Sequence, residues 1–123
     1  MDLAYAAVPL FDTHLHYDTQ DAERFTPQQI ITLLRDNDIE KAIVTSLPSK
    51  HALQLHALVP ELIVPFLGVY RFPADKQLWL HNKNLPTHIE QELSRNPWSG
   101  IGELHIFAPN RYNPVFLRLV ELA

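Results

Sequence analysis

Short apolar runs alternate with segments of helical period along this chain. Val8-Pro9-Leu10-Phe11-Asp12 reads as a first strand that ends in a polar cluster. Thr26-Pro27-Gln28-Gln29 then has the form of a capping box, with Thr26 as N-cap and Pro27 at the first helical position. Ile30, Ile31, Leu33 and Leu34 fit one face of the helix it opens, which ends near Asn37. Lys41 to Ser46 is rich in β-branched residues and reads as a second strand. Ser49 is placed to cap a helix over His51 to Val59, with Leu53, Ala57 and Leu58 inward and Pro60 closing it.

Leu62 to Val69 reads as a third strand, although it carries Pro65. A longer loop from Arg71 to Pro86 is a candidate functional loop or lid. Thr87-His88-Ile89-Glu90 has the capping-box form and opens a helix through Ser94. Gly100 to Leu104 reads as a fourth strand, and Asn113-Pro114 starts a last helix with Val115, Phe116, Leu119 and Val120 apolar. The order βαβαβαβα predicts an α/β fold, a parallel sheet with crossover helices, in one domain over residues 1–123. No repeat, low-complexity tract or linker interrupts it.

Composition narrows the function classes. The chain is 46% hydrophobic and 20% charged, the balance of a globular domain. Its net charge is −4 with no basic block, so no nucleic-acid partner is expected, because phosphate binding needs clustered positive charge. With no cysteine there is no disulfide or thiolate chemistry. No apolar run is long enough to span a bilayer, and Met1 to Tyr5 lacks the form of a signal peptide. The expectation is a cytoplasmic protein with no membrane partner. G-x-G-x-x-G, P-loop and G-x-S-x-G motifs are absent from the sequence. Seven histidines in 123 residues invite a metal reading.

The chemistry concentrates in two places. In Phe11-Asp12-Thr13-His14-Leu15-His16, alternate residues share one face of a strand. His14 and His16 can thus ligate one ion, and Asp12 can hydrogen-bond a ligand imidazole. In Gly100-Ile101-Gly102-Glu103-Leu104-His105, two glycines allow close packing and Glu103 stands at the end of an apolar strand. A carboxylate there is costly unless it is paired or bound to a cation. If strands one and four point the same way, Glu103 reaches the His14/His16 site. His105 is then a ligand, a substrate contact or a group behind a ligand, three roles the sequence leaves open. Arg71, just after strand three, can bind an anionic substrate group, with a surface ion pair as the alternative. His51, His56 and His88 fall on expected helices and read as solvated; His81 lies in the long loop. Trp79 and Trp98 read as packing residues.

FDTHLHYD on strand one and GIGELHIF on strand four, with the alternation between them, resemble the amidohydrolase superfamily of TIM-barrel metal-dependent hydrolases. The resemblance runs from about Phe11 onward and covers the first four βα units of such a barrel. It implies a divalent metal, zinc being usual, held here by His14, His16 and Glu103, and hydrolysis of a small-molecule substrate. It places further ligands and a catalytic Asp on later strands, beyond these residues, so the base would come from outside the chain. A half-barrel leaves strands one and four as open edges, which predicts pairing with another copy or membership of a longer protein. A phosphoesterase of the PHP type also starts with HxH, but its following Ser/Thr and Asp-Gly are missing here. The remaining alternative is a truncated half-barrel without catalysis, acting as a binding module or with no function of its own.

Overall fold

The structure is a computed structural model that describes residues 8–123. The Met1 to Tyr5 segment, read above for a signal peptide, lies outside the described residues. Four parallel strands stand in the order β1-β2-β3-β4, with helices between them. The strands are β1 (Leu10–His16), β2 (Ile39–Thr45), β3 (Ile63–Leu67) and β4 (Gly100–Ile101). The helices are α1 (Thr19–Ala22), α2 (Pro27–Asp36), α3 (Lys50–Leu58), α4 (Asp75–Leu78), α5 (Leu85–Arg95) and α6 (Pro114–Leu122). No helix is long and apolar enough to cross a membrane among these residues.

Alternation along β2 and β3 decides which side of the sheet is covered. Ala42, Val44, Ile63 and Leu67 are buried and pack with Ile31 and Leu34 of α2, Ala52 and Leu55 of α3, Ile89 of α5 and Leu119 of α6. Ile43, Val64 and Phe66 point the other way and are only half-buried. On the edge strand β1, Leu10 and Phe11 are exposed at 51% and 53%. The sheet is therefore apolar on both faces but helix-covered on one.

β1 runs four residues further than the sequence pattern suggests, through the whole HxH motif. Its pairing with β2 is irregular: Asp12 faces Ala42 while Leu15 faces Val44, so three steps on β1 match two on β2. That extra residue is a bulge, a device that re-aims side chains at a strand end. Pro65 is tolerated in β3 for a geometric reason. Its carbonyl accepts from Ser99, so the donor it lacks would face Pro97, before the β4 ladder begins.

Two helix starts differ from expectation. The Thr26 capping box forms, with Thr26 Oγ1 accepting from Gln29 N and Gln29 Oε1 from Thr26 N. Thr87 caps nothing, because α5 begins at Leu85 and Pro86 takes a first-turn position. In α3 the buried stripe is Ala52, Leu55 and then Val59; Ala57 and Leu58 face solvent. Ser49 spends its hydroxyl on the Gly68 carbonyl at 3.3 Å rather than on a cap. The expected loop from Arg71 holds α4 and a 3-10 turn, Trp79–His81, and Trp79 is buried at 3%. Trp79 thus anchors this segment to the body of the fold.

Candidate metal centre

All four strands run the same way, so the ends of β1 and β4 meet at one rim. β4 is short, but Gly102 N still donates to Leu67 O at 3.1 Å, which carries the chain to Glu103 in register with β3. The glycines there make room for a ring rather than for a helix. A Cβ on Gly100 would sit 2.8 Å from the Phe66 ring and one on Gly102 3.4 Å from it.

Three donor atoms converge at this rim. His14 Nε2 and His16 Nε2 lie 3.0 Å apart. Glu103 Oε2 lies 3.5 Å from the first and 3.2 Å from the second. Donors about 2.1 Å from a tetrahedral ion stand about 3.4 Å from each other, which these separations bracket. His14, His16 and Glu103 can thus hold a metal ion. Their side chains are 60%, 42% and 33% exposed, so solvent reaches the donor atoms, and an ion held by these three would have room for a water as a fourth ligand.

The carboxylate is held from behind. His105 Nε2 lies 2.9 Å from Glu103 Oε1, leaving Oε2 to the two imidazoles. Tyr70 Oη accepts from His105 N at 2.7 Å and lies 2.9 Å from His105 Nδ1. With the proton on Nε2, His105 donates to Glu103 and the phenol donates to Nδ1. Burial pushes the Tyr70 phenol above its ordinary range; the His105 backbone N–H opposes this and the Glu103 charge adds to it. Tyr70 therefore stays a donor at neutral pH. Trp79 Nε1 donates to His105 O at 3.2 Å. His16 Nδ1 lies 3.5 Å from Thr45 Oγ1, a long contact on the side away from Glu103.

The remaining predicted residues take other places. Asp12 Oδ1 accepts from the His14 backbone N–H at 3.0 Å, so it supports the bulge rather than an imidazole. Arg71 adopts the ion pair, with Nε 3.1 Å and N 2.9 Å from Asp75 Oδ2. Burial raises the Asp75 carboxyl, but the Arg71 side-chain bond, backbone bond and charge outweigh it and hold it below the usual carboxylate range. His56 is half-buried and bonds the Ile63 carbonyl at 2.8 Å, so it is structural rather than solvated. His81 and His88 are exposed. Tyr70 and Trp79 were not anticipated as parts of the site. The available signal was position: Tyr70 directly follows the apolar run Leu62 to Val69 read as the third strand, three residues past the end of β3, where side chains reach the rim.

No protein-family model, curated protein or solved structure matches this chain, so the resemblance to amidohydrolases rests on the two motifs and on the parallel order of the strands that carry them.

Proposed function

We propose that this chain is the metal-holding part of a hydrolase of the amidohydrolase kind, built as the first four βα units of a (β/α)-barrel. One observation carries the reading: two imidazole nitrogens and a carboxylate oxygen from β1 and the end of β4 stand 3.0 to 3.5 Å apart at a solvent-open rim. Zinc suits this mixed nitrogen and oxygen donor set. Bound there, it would polarise a scissile carbonyl or phosphoryl group and make water more acidic. The chain's own residues seat the ion and orient the seat. His14 and His16 offer Nε2, Glu103 offers Oε2, and His105 with Tyr70 keeps the carboxylate turned toward them. A small-molecule substrate enters from the exposed side of the rim.

The test is turnover of amide, ester, lactone and phosphotriester substrates by zinc-loaded and chelator-treated protein. The reading expects slow zinc-dependent hydrolysis, slow because the base would come from outside these residues, that is lost in Glu103→Ala together with zinc binding, as loss of a ligand to a Lewis acid should produce. Glu103, the carboxylate at the seat, is taken up as a donor beside both imidazoles, which favours a second reading, a module that holds metal without turnover. Stoichiometric zinc binding with no hydrolysis of any substrate would select it.

A further inference from the structure

We infer that two copies of this chain close on each other as one eight-stranded parallel barrel, with the β4 edge of each against the β1 edge of the other. The inference rests on the strand order and on the flanks of the helical layer, not on the metal reading of the rim. β1 and β4 are the two edges of the sheet, and both run in the same direction. An eight-stranded barrel is filled by its own side chains, and four strands supply half of it. Head-to-tail contacts form a ring when the rotation closes, and here two copies suffice. The face that closure would cover carries Phe11, Ile43, Val64 and Phe66, exposed or half-buried. The register puts them on one side: Phe11 stands beside Lys41, Ile43 beside Val64 and Phe66 beside Gly100. Lys41 lies near the start of β2, toward the mouth opposite the metal rim.

The helical layer suits this closure at both flanks. In α2, Arg35 reaches Glu61, just beyond α3, at 3.8 Å, which marks the side of the helix that faces α3. Residues two apart on a helix stand about 200° apart around its axis. Leu33 therefore points away from α3, and it is exposed. In α6, Arg118 reaches Glu90 of α5 at 3.4 Å. By the same rotation Val120 points away from α5, and it too is exposed. Each flank thus ends in an aliphatic side chain beside an open strand edge. A neighbour for β4 must bring a parallel strand and a helix in the outer layer; β1 with α2 of a second copy brings both. The area agrees. The chain exposes 8288 Å², where a folded monomer of 14.2 kDa exposes about 6,800 Å². The surplus is enough for one side of a standard interface, about 800 Å². Closure would set both His14/His16/Glu103 seats around one mouth, each copy walling the site of the other.

Light scattering and sedimentation of the full chain, zinc-free and zinc-loaded, should give a particle of twice the chain's mass across micromolar concentrations. Val120→Asp should raise the dissociation constant of the dimer at least tenfold, while Leu58→Asp, at an exposed apolar position in the middle of the helical layer, leaves it unchanged. The chain holds no cysteine, so introduced thiols read the geometry. Leu33→Cys mixed with Val120→Cys should give a covalent dimer with a short bis-maleimide, and neither variant should cross-link to itself. A monomer, an open-ended series of larger species, equal affinity in Val120→Asp, or self-cross-linking of either cysteine variant overturns the inference. A dimer of the expected geometry that binds no zinc would instead count against the metal reading alone.

Discussion

Glu103 and His105, two residues apart just past β4, meet through Oε1 and Nε2 at 2.9 Å. This single contact splits the carboxylate into one oxygen that is anchored and one that is offered. A ligand held in that way needs less ordering when a cation arrives, which is what hydrogen-bonded partners behind metal ligands generally provide.

Tyr70→Phe should therefore weaken zinc about tenfold, the low end for loss of an outer partner. It removes both phenol contacts to His105 while keeping the buried ring. A stability cost of about 1 kcal/mol accompanies it. Chelator competition and urea denaturation measure the two effects separately. Unchanged zinc affinity would mean that His105 does not orient Glu103.

Asp75→Asn should destabilise the protein by about 1–3 kcal/mol at neutral pH, since a buried carboxylate loses charge-assisted bonds to Arg71. The pH dependence has a definite sign. A carboxyl depressed in the folded state stabilises above its unfolded pKa of about 3.9 and loses that contribution as pH falls through the folded value. The gap between wild type and variant should be flat from about pH 5 to 8 and shrink below about pH 4. Thermal melts across that range check it; a gap that widens on acidification would contradict it.

Gly100→Ala should cost about 1–3 kcal/mol, the range for overpacking, because the new Cβ would meet the Phe66 ring at 2.8 Å. Phe66→Leu in the same chain should recover part of that loss. Purely additive destabilisation in the double variant would show that the ring is not the obstacle.

Asp38→Gly should raise stability by about 1 kcal/mol. Asp38 turns the chain from α2 into β2 with φ at 56°, a conformation that penalises a Cβ. Equilibrium unfolding gives the value directly.

Much of this architecture was legible in the residues themselves. The β-branched run before Thr45 and the Thr26 box announce β2 and α2, because short-range sterics and capping decide those elements. The meeting of His14, His16 and Glu103 was legible only through the parallel strand order, which a sequence implies by alternation. What escaped has physical reasons. The β1 bulge diverts Asp12 to a backbone N–H, and no periodicity reveals one inserted residue. Pro86 displaces the expected Thr87 cap because a proline in a first turn looks the same from outside as one ending a loop. Arg71 was open to an anionic group or to a surface ion pair, and only the position of Asp75 decides for the pair.

The most direct measurement is an anomalous diffraction map from crystals grown with zinc, recorded on both sides of the zinc edge. The account predicts one strong peak about 2.0–2.2 Å from His14 Nε2, His16 Nε2 and Glu103 Oε2, absent in His14→Ala. A map with no peak among those atoms, and the two imidazoles still bonded to each other, would contradict it.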